Sequence, residues 1–147
     1  MKVQCSWQGQ MKFVAGDQNH QVSLDAQPPL GGASALSPKQ LLLASICGCT
    51  AMDVIALLKK HQQKPDHFEV SAEAHLTLGS YPVVFDRIVL HFKVSGEVEG
   101  HCLIQSVDLS QSKYCGVSAM VSKAVKILYT IELNGVRIHE GHSEFKF

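Results

Sequence analysis

The chain has 147 residues, near the usual size of one domain, and 46% of them are apolar, which allows a core hiding roughly 70% of the unfolded surface. Only 18% are charged, against about 25% in ordinary soluble domains, and 13 basic side chains balance 13 acidic ones. This excludes a disordered acidic tail, a polybasic membrane binder and a nucleic-acid protein working through bulk positive field; a neutral, charge-poor surface instead favours a homo-oligomer.

Met1-Lys2 leads straight into a mixed stretch with no apolar segment of the signal-peptide kind. The five cysteines are an odd set without a small-scaffold pattern, so free thiols and a cytoplasmic location are expected. Val3, Cys5 and Trp7 alternate with polar residues, a second short strand covers 11–15, and His20, Val22 and Leu24 mark a third. Together they predict a small antiparallel meander, followed by loop material over 27–33.

A long helix should start at Ser37, with Pro38 in its first position and Gln40 completing a capping box. It should run to about Gln63, with Lys59, Lys60, His61 and Lys64 at the negative end of the dipole and Pro65 as the stop. Residues 41–58 carry no basic side chain and approach the length of a membrane span. Asp53 stands inside that stretch, however, and a central carboxylate costs about 2.5–3.5 kcal/mol on insertion. A buried, central helix covered on several sides is the reading adopted, with no membrane partner.

Two half-buried strands follow, one carrying Phe68, Val70, Ala72, Ala74, Leu76 and Leu78, the other Ile88, Leu90, Phe92 and Val94, joined by a turn over 79–82. Residues 97–111 suit a short helix. Val117, Met120, Val121, Ala124, Val125 and Leu128 form a helical stripe, and Asn134-Gly135 marks a closing hairpin. Strands, long helix, strands, helices and strands make an α+β fold, read as a single domain over 1–147.

The chemistry rests on cysteines. Cys47 and Cys49 point about 200° apart on a helix and cannot form a joint site. Cys49 shares its face with Ser45, Gly48, Met52, Asp53 and Ala56, three of them small, so a backbone or a ligand should approach that face closely. Cys47 turns to the Leu43 and Val54 side as core. Cys115 falls opposite the Val117–Val121–Ala124 stripe, beside Ser118 and Ser122, and near a helix start that favours a thiolate. Cys49 lies about eleven residues into its helix, too deep for the dipole, so a cation or donor from another segment would have to activate it. Cys5 and Cys102 read as fillers. The eight histidines show no four-ligand Cys/His spacing, so no metal or other cofactor is expected, and His67, His75 and His91 should line wet strand faces.

The run 37–53, Ser-Pro-Lys-Gln-Leu-Leu-Leu-Ala-Ser-Ile-Cys-Gly-Cys-Thr-Ala-Met-Asp, resembles the long central helix of the osmotically inducible protein C (OsmC) family, which includes the organic hydroperoxide resistance proteins. Residues 113–118, Lys-Tyr-Cys-Gly-Val-Ser, resemble its second cysteine motif. The resemblance implies antiparallel sheets around a long central helix in an intertwined homodimer, with active sites at the subunit interface. It implies Cys49 and Cys115 as the catalytic pair: Cys49 attacks an organic hydroperoxide, Cys115 closes a disulfide on it, and an external dithiol reduces the bond. Two positions depart from the pattern. Lys39 stands where the organic hydroperoxide branch has Glu, with no Arg before Arg87 and Lys12 the nearest basic residue of the meander; Gly116 stands where Pro is frequent. The alternative reading is a non-enzymatic dimer that binds a small apolar or reactive molecule at the same interface.

Overall fold

The computed structural model describes residues 1–79 and 81–146; Ser80, in the expected turn over 79–82, lies outside them. The chain packs as two compact units, Met1–Leu42 and Leu43–Phe147.

The first unit holds the meander. Strands β1 (Gln4–Trp7), β2 (Phe13–Gly16) and β3 (Gln21–Leu24) pair antiparallel in chain order. Beyond β3, the buried Asp25 ties the following loop together: its carboxylate accepts from Ser34 N at 2.9 Å, Ser34 Oγ at 2.7 Å and Ala26 N at 2.8 Å. These donors hold its carboxyl below the ordinary range.

Helix α1 (Pro38–Lys60) begins as its sequence dictates. Gln40 Oε1 accepts from Ser37 N at 2.8 Å while Gln40 N donates to Ser37 Oγ at 3.4 Å, a reciprocal capping box. Its end is a left-handed cap at Gln62 (φ 58°), with Gln63 N donating to Leu58 O at 2.9 Å and Gln62 N to Lys59 O at 3.0 Å. The helix therefore stops a turn before Pro65, slightly earlier than expected.

In the second unit a four-stranded sheet runs in the order β4 (His67–Leu76), β5 (Phe85–Ser95), β6 (Lys126–Leu133) and β7 (Val136–His142). The β5–β6 pair is parallel, so this sheet is mixed rather than antiparallel throughout. The cause is the crossover between those two strands: α2 (Gly100–Leu109), a π-helical turn (Ser110–Tyr114) and α3 (Gly116–Val121). Asn134 (φ 52°) and Gly135 (φ 81°) take the left-handed dihedrals of a two-residue hairpin between β6 and β7.

The inward positions of the strands and one stripe of α1 make the core. Ile46, Val54 and Leu58 pack with Ile88, Leu90, Phe92, Leu103, Val107, Ile127 and Ile131. Fully burying a side chain of this kind contributes on the order of 1.5–3 kcal/mol. The β4 alternation stops short of its expected length, since Leu76 and Leu78 are exposed.

Two expectations are corrected. The stripe from Val117 to Leu128 is not one helix: α3 ends at Val121, and Leu128 belongs to β6. Val125 and Leu128 are spaced for a helix by coincidence, whereas Ile127, Tyr129 and Ile131 alternate into the core and fix a strand. Second, α1 is not buried on several sides among the described residues. Ile46, Thr50, Val54 and Leu58 alone are buried, while Met52 on the other side is 76% exposed.

Candidate functional site

The crossover between β5 and β6 brings Cys115 against the middle of α1. Cys49 Sγ, one Asp53 carboxylate oxygen and Cys115 Sγ all lie within 4.8 Å of one another. Cys49 and Asp53 are four residues apart on α1 and so share a face, and Cys115 arrives from a segment 66 positions later. Cys49 and Asp53 are half-buried and Cys115 is fully buried.

Backbone geometry explains how Cys115 is aimed. The α2 helix runs into the π-helical turn, where Cys115 N donates to Ser110 O at 2.9 Å, five residues back. Cys115 then leaves helical geometry (φ −70°, ψ 96°) and caps α3, its Sγ accepting from Ser118 N at 3.3 Å. This corrects the expected placement off the buried side: Cys115 and Ser118 face inward, and Met120 of the supposed stripe is exposed. It also reverses the expected thiolate. Burial pushes the Cys115 thiol up to about 11, the Ser118 contacts offset only part of that, and the neighbouring Cys49 adds to the rise.

Asp53 is wired to the same turn. Ser110 Oγ donates to Asp53 Oδ2 at 3.1 Å and lies 2.8 Å from Thr50 Oγ1, which accepts from Gln111 Nε2 at 2.8 Å. A hydroxyl has one proton to give. With the Ser110 proton on Asp53, Thr50 must donate to Ser110, so the chain Gln111, Thr50, Ser110, Asp53 has one direction and ends on the carboxylate. Ser143 Oγ, donating to Gln111 Oε1 at 2.6 Å, holds the far end. Burial raises the Asp53 carboxyl above its ordinary value, and the Ser110 bond offsets part of this. Ser118 Oγ is buried without a hydrogen-bond partner.

The other candidates fall outside this cluster. Cys47 is half-buried, its thiol raised by burial. Cys5 lies exposed on β1. Cys102, buried at the start of α2, joins a second cluster whose Glu99 Oε2, His101 Nε2 and Cys102 Sγ also lie within 4.8 Å of one another. His67 and His75 sit near Glu69 and Glu73 on β4, as expected of wet strand positions, and His91 Nδ1 meets Thr130 Oγ1 at 2.9 Å. A side chain added at Gly48 would meet nothing within 4 Å among the described residues, so the approach to this face is made beside it, by Cys115 at Cys49 and Asp53, and not at Gly48 itself.

Asp53 is legible in the sequence as a face-mate of Cys49, but its place beside Cys115 is not. Thr50, Ser110 and Gln111 gave no signal, because only the fold brings residues 60 positions apart together. Lys39 belongs to the first unit and is exposed.

Residues 31–130 match the sequence model of the family described as OsmC-like protein. Protein YhfA of Escherichia coli (strain K12) is 32% identical over 135 residues, spanning 90% of this chain and 98% of YhfA. A hypothetical protein from Aquifex aeolicus VF5 superposes with a TM-score of 0.81 at 26% identity, covering 90% of this chain and 95% of that one. An organic hydroperoxide resistance protein OsmC from Legionella pneumophila superposes with a TM-score of 0.70 at 15% identity, covering 89% and 95%; at that identity the likeness concerns the fold.

Proposed function

The chain belongs to the OsmC-like family, and on that premise we propose that it is a thiol-dependent reductase of organic hydroperoxides acting through Cys49 and Cys115. The observation that carries the reading is the meeting of the two sulfurs, within 4.8 Å, across 66 positions of sequence. A disulfide needs two cysteines held in this kind of proximity. The substrate class is that named for the structurally similar Legionella pneumophila organic hydroperoxide resistance protein.

The environments of the two thiols support their division of labour. Attack on a peroxide requires a thiolate. Cys115, wholly buried and raised to about 11, keeps its proton at neutral pH and suits the resolving role. Cys49, half-exposed, is left to attack. The Cys49 thiolate takes the terminal peroxide oxygen, the O–O bond breaks, and the alcohol leaves with a proton. The resulting Cys49 sulfenic acid condenses with the Cys115 thiol, whose proton departs with the sulfenic hydroxyl as water. An external dithiol then reduces the bond by exchange. With Lys39 where the organic hydroperoxide branch has Glu, Asp53 is the ionisable group beside the sulfurs, and it can accept the Cys49 proton.

The reading includes a homodimer. It is supported by the apolar α1, of which one stripe alone is buried, and by the open space at Gly48 beside the exposed Met52. The test is consumption of an alkyl hydroperoxide by purified protein with a dithiol. Turnover lost in Cys49→Ser upholds the proposal; equal, slow turnover in wild type and Cys49→Ser favours the non-enzymatic dimer.

A further inference from the structure

We infer that, in the reduced protein, Cys49, Asp53 and Cys115 form a binding site for a thiophilic divalent cation of the Zn²⁺ class, and that closing the Cys49–Cys115 disulfide releases it. The binding half rests on geometry and does not depend on peroxide turnover.

Two thiolates and a carboxylate, with a fourth position left for water, are an ordinary donor set for zinc, and thiolates select it over harder cations. Zinc bonds of about 2.0 Å to oxygen and 2.3 Å to sulfur place tetrahedral donor atoms roughly 3.5–3.8 Å apart. The three atoms here already lie within 4.8 Å, so about an ångström of contraction at most completes the set.

The surroundings are those of an oriented site. Carboxylate ligands are characteristically held by outer hydrogen bonds. Asp53 Oδ2 accepts from Ser110, and the one-way chain through Thr50 and Gln111 fixes that donor. Cys115 is pinned by the π-helical turn and by Ser118 N. The buried Ser118 hydroxyl, on the residue that holds Cys115, has no protein partner, and such a group marks a place where a further atom can be taken up. The Glu99–His101–Cys102 cluster lacks this frame: its Glu99 and His101 side chains are 62% and 75% exposed.

Release follows from the electron count. Two thiolates, one hydroperoxide and two protons give one disulfide, one alcohol and one water, and the disulfide removes two of the three ligands. The cation would therefore hold the thiols reduced in pairs and leave when they are oxidised.

The test uses full-length protein, stripped by a chelator and reduced with a phosphine, titrated with Zn²⁺ against a chromophoric competitor. One Zn²⁺ per chain is expected at submicromolar affinity, and Co²⁺ should give thiolate-to-metal charge-transfer absorption. Cys49→Ser, Cys115→Ser and Asp53→Asn should each weaken binding at least tenfold, Ser110→Ala about 10–100-fold as an outer-shell change, and Cys102→Ser not at all. One hydroperoxide equivalent should free the bound Zn²⁺. Absence of stoichiometric binding, or binding lost through Cys102→Ser but kept in Asp53→Asn, overturns the inference. Zinc bound without peroxide turnover removes the peroxidase reading alone, and turnover without zinc binding removes the metal reading alone.

Discussion

The Cys49–Asp53–Cys115 cluster and the Glu99–His101–Cys102 cluster both hold every donor pair within 4.8 Å, yet they are made in different ways. The second is local: three neighbours in sequence at the start of α2, two of them exposed, linked by a His101–Glu99 contact of 3.3 Å and a Cys102–His101 contact of 3.4 Å. The first is assembled by the crossover from two elements and backed by a buried polar chain that reaches Ser143. Exposed pairs like His101–Glu99 contribute about 0–1 kcal/mol, whereas breaking a buried polar chain leaves unsatisfied groups that cost about 1–3 kcal/mol each. Proximity alone does not mark a site; proximity that the core maintains does.

The largest expected effect separates the clusters by chemistry. Cys49→Ser should lower dithiol-dependent hydroperoxide turnover by at least about a thousandfold, the order expected for loss of a nucleophile. Cys102→Ser should leave it within about twofold, and a comparable loss in Cys102→Ser would erase the distinction.

The next concerns the faces beside each cluster. Met52→Glu puts a charge on the exposed apolar side of α1 next to Cys49 and should raise the dissociation constant of the proposed dimer about a hundredfold, from the several kcal/mol penalty for an unpaired interfacial charge. His101→Glu, on the solvent-facing cluster, should leave it unchanged. Sedimentation velocity over a concentration series reads both.

The pH response of Cys115 sharpens the comparison further. Its thiol, near 11, is the stronger holder of its proton in the folded protein, against about 8.5 unfolded. That stability is present below about pH 8.5 and is lost as pH rises toward 11. Below 11 the thiolate fraction also grows about tenfold per pH unit, so single-turnover closure of the disulfide should accelerate from pH 7 to 9. A closure rate flat over that range would mean that Asp53 takes the Cys115 proton.

Stability gives the two smallest effects. Gln111→Ala should lower unfolding free energy by about 1–3 kcal/mol, whereas Glu99→Ala should stay within about 0.5 kcal/mol, both read by chemical denaturation. Gly116→Ala meets open space at the start of α3 and should stabilise by about 0.5–1 kcal/mol through the unfolded chain.

Much of this architecture is legible in the sequence wherever a local rule decides it. Ser37, Pro38 and Gln40 fix the start of α1, Asn134-Gly135 fixes the last hairpin, and the alternation from Ile88 to Val94 fixes β5. The two cysteines are legible as motifs. Their setting is not. The π-helical turn over Ser110–Tyr114 has no local signature, and the donors Ser110 and Gln111 lie 57 and 61 positions from their partners Asp53 and Thr50. The helical spacing of Val125 and Leu128 competes with strand alternation over the same residues, and burial of Ile127, Tyr129 and Ile131 decides it. The extent of α1 left bare is likewise a property of the folded chain, since an all-apolar helix reads the same whether its own sheet or a partner covers it.

Cys49 and Cys115 are proposed to be a redox pair. Reduced, chelator-treated protein given one equivalent of an alkyl hydroperoxide, then digested in acid and mapped by mass spectrometry, tests it most directly. The expected product is a Cys49–Cys115 crosslinked peptide, with Cys5, Cys47 and Cys102 remaining free thiols. A Cys49 oxidised to the sulfinic acid beside a free Cys115, or a bond to Cys102, would contradict it.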